Sequence, residues 1–171
     1  MLKRIALCCA VLLLSTSCRF EDKPQTKPFQ WVADSTVNLI VRFEGKSNKA
    51  YQDSQGNWTI GIGHLIRTQE AYMLDRELSD HEVRGILHQD LNKCTTALKT
   101  ALRVTVTPEQ RDAMLSLCHN IGPDNMVRSE VVHYLNQNKT ELAANAFLNW
   151  SNPPDLKRRR EYERKLFLRN I

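Results

Sequence analysis

The chain has 171 residues, 42% of them hydrophobic, enough to bury one real core and support one domain. No segment repeats, so the composition excludes a repeat array, and its 24 basic and 19 acidic residues leave a formal net charge of +5. His81, His88, His119 and His133 show no metal-ligand spacing, so neither a metal nor a cofactor is expected.

At the start, Lys3 and Arg4 precede the apolar run Ile5 to Leu14, followed by Ser15-Thr16-Ser17-Cys18. A positive start, an apolar stretch and small residues before a cut site describe an export signal, and the run is too short to span a bilayer comfortably. The Leu-Ser-Thr-Ser-Cys ending resembles a bacterial lipoprotein signal over residues 1–17, leaving Cys18 as a lipidated mature N-terminus. It departs from that pattern at Ser15, three before the cysteine, where Leu is usual. An ordinary cleaved signal and a signal-anchor-release segment are the competing readings. Without Lys3 and Arg4 the net charge falls to +3. Residues 18–30, with two prolines and much charge, read as a tether to a domain at 31–171.

Asp34 or Ser35 would cap a first helix whose apolar stripe is Val37, Ile40, Val41 and Phe43, and Gly45 would close it. Glu44 then sits among the last carbonyls of that helix, beside a buried Phe43. Both surroundings favour the neutral carboxyl that a general acid needs. Asp53 follows in the polar run Gln52 to Asn57, where solvent and backbone donors keep it ionised, as suits a base that activates water. Gly56-Asn57 reads as a turn between two short strands, the second carrying Thr59. Two carboxylates in different environments are the usual equipment for acid/base cleavage of a glycosidic bond. The competing reading is a helix and hairpin whose charges are surface groups.

Beyond a loop and an unassigned segment around Glu70 to Leu78, Ser79-x-x-Glu82 is a capping box. The helix it starts runs to about Leu102, burying Val83, Ile86, Leu87, Leu91, Cys94 and Leu98. Thr107-Pro108-Glu109-Gln110 opens the next, with Ala113, Met114, Leu117 and Cys118 facing inward and Gly122-Pro123 stopping it. Ser129 caps a helix to about Gln137, and Thr140 begins another that ends at Pro153-Pro154. The tail, Asp155 to Phe167, is a basic helix that Leu156, Tyr162, Leu166 and Phe167 would pack on one side. Glu161 and Glu163 interrupt its positive run and no aromatic platform accompanies it, so no nucleic acid is expected as partner.

The stretch from Phe43 to His64 resembles the phage-type lysozymes, glycoside hydrolase family 24. Members carry a Glu-Gly, a Tyr-x-Asp and a Trp-Thr-Ile-Gly-x-Gly-His, matched here by Glu44-Gly45, Tyr51-Gln52-Asp53 and Trp58 through His64. Ile62 stands where Tyr is frequent. The resemblance implies an α+β, mostly α-helical, two-lobed fold with a small β-hairpin lobe. It implies Glu44 as proton donor, with Asp53 and Thr59 holding the attacking water. It also implies a structural ion pair between His64 and Asp90 joining the lobes. Asn120, in Asn120-Ile121-Gly122, becomes a substrate-contact candidate, with a plain helix-terminal Asn as the alternative. The family's triple-Arg-x-x-Glu helix brings one arginine to the catalytic Glu; Arg160 is placed there, with Arg159 the alternative. Cys94 and Cys118 fall on two helices that the family packs together, as a disulfide or as two buried thiols.

The implied activity is inverting hydrolysis of the β-1,4 bond between N-acetylmuramic acid and N-acetylglucosamine in peptidoglycan. The expected setting is a monomer on the periplasmic face of a bacterial membrane, held by an N-terminal lipid anchor in the outer membrane. A non-catalytic peptidoglycan-binding lipoprotein and a lytic transglycosylase are the other classes. An intact Glu44, Asp53 and Thr59 argue against both.

Overall fold

The computed structural model describes residues 31–170, so the signal, Cys18 and the tether lie outside the described residues. Helix α1 spans Asp34–Glu44 and ends at Gly45, whose φ of 70° suits a residue without Cβ. Neither Asp34 nor Ser35 caps it. Ser35 and Thr36 instead donate their hydroxyls to Asp112, at 2.5 and 2.7 Å. A carboxylate from another helix thus wins these donors over the local backbone, and the start of α1 is fixed to the centre of the molecule. Phe43 is half-buried, not buried.

Three antiparallel strands follow in the order β1 (Ser47–Gln52), β2 (Trp58–Gly61) and β3 (His64–Leu65). Tyr51 pairs with Thr59 and Thr59 with Leu65, so these three side chains share one face of the sheet. Ile60 and His64, paired with each other, occupy the opposite face and are buried. The segment that sequence left unassigned contains a 3₁₀ turn, Thr68–Met73.

Helix α2, Asp80–Ala101, begins at the Ser79/Glu82 capping box and is the spine of the molecule. Its first half buries Val83, Leu87 and Leu91 against Ile40, Ile60 and Ile62 in the core of the small lobe. Its second half places Cys94 and Leu98 in the larger core, with Met114, Leu117, Phe147 and Phe167. The two apolar cores are the two lobes, and α1 serves both through the neighbours Leu39 and Ile40.

Helix α3, Pro108–Ile121, is buried continuously from Gln110 to Cys118 and is surrounded by the rest of the larger lobe. Gly122-Pro123 does end it, but Pro123 also opens a short helix, α4 (Pro123–Arg128), because proline is accepted in a first helical turn. Ser129 caps α5 (Glu130–Leu135), and α6 (Thr140–Ala146) continues into a 3₁₀ turn. In α7, Lys157–Phe167, the buried face is only partly apolar. Arg159, Arg160 and Glu163 are buried along with Leu166 and Phe167.

A disulfide joins Cys94 of α2 to Cys118 of α3 across a sequence separation of 24, with the Cα atoms 5.9 Å apart. Such a closure stabilises the folded chain chiefly by restricting the unfolded one. Replacing both cysteines with serine is expected to lower the unfolding free energy by about 2–4 kcal/mol. Urea titration of the variant beside its parent checks this, and coincident curves would refute it.

Candidate active site

Glu44 is placed by the end of α1, and two further elements close around its carboxyl group. On one side Arg159 Nη1 donates to Glu44 Oε1 at 2.5 Å. On the other, Gly63 presses so closely that a Cβ built there would lie 2.9 Å from the carboxyl carbon and from Oε2. Gly63 also has a φ of 70°, so two independent constraints demand glycine. The Glu44 side chain keeps 21% exposure in this slot.

Arg159 is itself rigidly held. Its Nε donates to Glu163 Oε1 at 3.1 Å and its Nη2 to the Ser116 carbonyl at 3.0 Å, while the Ser116 hydroxyl donates to Glu163 at 2.6 Å. The Arg159 side chain is 5% exposed. The arginine at Glu44 is therefore Arg159 and not Arg160. Neighbouring helical residues point about 100° apart, so only one of the pair can face α1. Arg160 is fully buried, with Nε 3.2 Å from Glu163 Oε2 and Nη2 donating to Asn120 Oδ1 at 3.2 Å. It supports Asn120 from behind and is closed off from any substrate. Burial lowers the Arg160 pKa to about 10, against the opposing charge of Glu163. Burial likewise raises that of Glu163, against both arginines.

Asp53 has a different environment. Its Oδ1 accepts the backbone N–H groups of Gln55 and Asn57, at 2.8 and 2.9 Å, and its Oδ2 accepts the Asn57 side-chain amide at 3.2 Å. These donors, that of the Asn57 backbone foremost, hold its pKa below the ordinary carboxylate value. The polar turn that sequence identified is thus a cradle for one carboxylate. Thr59 is 4% exposed, with its hydroxyl donating to the Asn57 carbonyl at 3.3 Å. Asn57 thereby links Asp53 to Thr59. Tyr51, on the sheet face shared with Thr59, has its phenol pKa pushed up by burial, then by the charges of Glu44 and Asp53. Both carboxylates therefore act on one phenol, which sequence reading treated only as a motif position.

His64 lies behind this group. Its Nδ1 is 2.6 Å from Asp90 Oδ2 on α2, and its Nε2 is 3.3 Å from Glu70. The hydrogen bond to Asp90, against burial, raises the His64 pKa. Burial pushes Asp90 up, but hydrogen bonds from His64 and Lys93 more than offset it and hold its pKa low. A second imidazole, His119, passed over in the sequence, crosses between the lobes and donates from Nε2 to the Ile62 carbonyl at 3.0 Å. Burial lowers its pKa, which keeps the ring neutral at neutral pH. Asn120 is exposed and, with Gly63, Leu65, His119 and the disulfide, lines a cavity of about 250 Å³ between the lobes. Among the described residues no group of three His, Cys, Asp or Glu could hold a metal ion.

Two carboxyl groups in unlike surroundings, with a hydroxyl on the intervening sheet, are an arrangement for proton donation on one side and water activation on the other. The phage lysozyme family model matches residues 41–163. The endolysin of Salmonella phage P22 is 33% identical over 142 residues, which cover 80% of this chain and 97% of that protein. The endolysin of Bacillus phage B103 is 32% identical over 144 residues, and this chain spans only 54% of its length. Among solved structures, the muramidase domain of SpmX from Asticaccaulis excentricus superposes with a TM-score of 0.69 at 31% identity, covering 80% of this chain and 97% of that domain.

The His64 pair has a defined signature in pH. A histidine whose folded pKa exceeds its unfolded value of about 6.5 contributes stability fully below that value and loses it as pH rises through the folded one. Between pH 5 and 9 the parent should therefore lose this contribution on the alkaline side, and a His64→Gln variant should not. Chemical denaturation across that range measures the difference; parallel profiles would refute the pairing as a source of stability.

Proposed function

The chain belongs to the phage lysozyme family and is a peptidoglycan muramidase, a glycoside hydrolase, and we propose that Glu44 is its general acid, with Asp53 and Thr59 directing the attacking water. The observation that carries this reading is the contrast in what holds the two carboxyl groups: Glu44 is gripped by Arg159 and pressed against Gly63, whereas Asp53 is cradled by the backbone of its own turn. Glu44 is recessed at a helix end with Oε1 taken by Arg159, which leaves Oε2, against Gly63, to carry the proton. That proton passes to the glycosidic oxygen as its bond to the anomeric carbon of N-acetylmuramic acid breaks. Water attacks the same carbon from the opposite face and its proton leaves toward Asp53, so the configuration inverts. Asp53 is a weakened base because three donors stabilise its ionised form. Its contribution is chiefly to orient and polarise the water, and the nearby Thr59 hydroxyl shares that task. Asn120 contacts the sugar chain from the helical side of the cleft, backed by Arg160.

The setting follows from the first thirty residues. We infer that residues 1–17 are removed, that Cys18 is lipidated, and that residues 18–30 tether a monomeric domain, 31–171, to the periplasmic face of the outer membrane. The charged start, short apolar run and Ser-Thr-Ser-Cys ending support this. Incorporation of labelled palmitate into the full chain, abolished by Cys18→Ser, is the expected result. Labelling that persists in the variant would exclude Cys18 as the lipid site.

For the chemistry, turbidity loss of purified peptidoglycan by the parent is compared with Glu44→Gln and Gly63→Ala. Removing the donated proton should lower the rate by about 10²–10⁴-fold. Gly63→Ala should also lower it, by displacing the same carboxyl. Equal clearing by parent and Glu44→Gln would overturn the assignment. Anhydro-muramic ends among the products would indicate transglycosylation, while binding without clearing by the parent would indicate a non-catalytic module.

A further inference from the structure

The three consecutive arginines of α7 divide their duties. Arg159 and Arg160 turn inward to Glu44 and Glu163, whereas Arg158 stays on the surface. There it meets two more cations, Arg42 from the last turn of α1 and Lys165 two turns further along α7, around a cavity of about 480 Å³. This is about twice the volume of the cavity beside Asn120. Among the described residues, Arg42, Arg158 and Lys165 form no ion pair with a carboxylate. Arg42 instead lies over the Tyr162 ring, 4.8 Å from its centroid. Asp155 and Glu161 also line the cavity, so with Arg159 the lining carries four cations against two anions. Phe43 and Tyr162, edge to face with centroids 5.7 Å apart, supply an apolar wall.

We propose that this cavity is a binding site for a phosphoryl group, on the outer side of the α1/α7 contact. Two guanidinium forks and an ammonium around one opening match the several oxygens and the charge of a phosphate. Arg159 lines the cavity while its Nη1 holds Glu44, so the site stands behind that carboxyl group without including it. The assignment does not depend on Glu44 being the acid. A phosphate in solution and the exposed phosphate of an anionic lipid present the same chemistry.

Calorimetric titration of the full chain with inorganic phosphate at low salt tests the site. The comparison is with an Arg158→Glu/Lys165→Glu variant and with Lys139→Glu, a charge reversal on a distant exposed lysine. Unchanged thermal midpoints establish that both variants fold. Saturable one-site binding is expected, weakened by about tenfold or more in the double variant and unchanged in Lys139→Glu. Sedimentation with phosphatidylglycerol or phosphatidylcholine vesicles separates the sources. A preference for the anionic vesicles that the double variant loses assigns the phosphate to a lipid. No preference, with phosphate still saturating, assigns it to a soluble ligand. Absence of saturation, equal affinity in the double variant, or equal loss in Lys139→Glu would overturn the proposal.

Discussion

The grip of Arg159 on Glu44 is the contact on which the site depends. A carboxyl group at a helix end, next to a glycine, has little of its own to fix its direction. The guanidinium supplies that direction because it is itself held from three sides by Glu44, Glu163 and the Ser116 carbonyl. Burying these charges is costly, and pairs of this kind are frequently no more stabilising than apolar residues of similar volume. Their value here is geometric. Ser116 and His119, one turn apart on α3, steady opposite sides of Glu44, the first through Arg159 and the second through the Ile62–Gly63 turn.

The same economy of elements runs through the fold. The longest helix divides its buried residues between two cores, and the most enclosed helix, α3, carries the polar groups that hold the site. Asp112 binds the start of α1, Ser116 binds Arg159, Cys118 binds α2, and His119 binds the small lobe. Successive turns of one helix thus meet the four surrounding parts that must stay in register. A helix so used cannot be uniformly apolar, which is why its buried stretch includes Gln110, Arg111, Asp112 and Ser116.

What was legible in the sequence were the features with local causes. The capping boxes at Ser79 and Thr107, the glycine stop at Gly122 and the polar bed of Asp53 arise from residues a few positions apart, although the turn between β1 and β2 bends at Ser54 and Gln55 rather than at Gly56-Asn57. The features that escaped depend on distant partners. Ser35 forgoes a cap for Asp112, 77 positions away, and the choice between Arg159 and Arg160 rests on the rotation of α7 about its axis. Spacing along the helix could not decide the latter, since Arg159 at i, i+4 and Arg160 at i, i+3 both face Glu163. The buried face of α7 differs for a related reason: the sequence packs it on Leu156, Tyr162, Leu166 and Phe167, and the structure adds Arg159, Arg160 and Glu163, whose partners lie on other helices.

Because Leu39 and Ile40 anchor adjacent positions of α1 in different cores, this helix belongs to neither lobe alone. Glu44 is its last residue, so its position is referred to both cores at once. Asp53 is at the far end of the hairpin, beyond the turn that His119 pins. The spacing of the two carboxyl groups is therefore set by how the two apolar cores pack together, through the helices that enter both, rather than by any contact between neighbours in the chain.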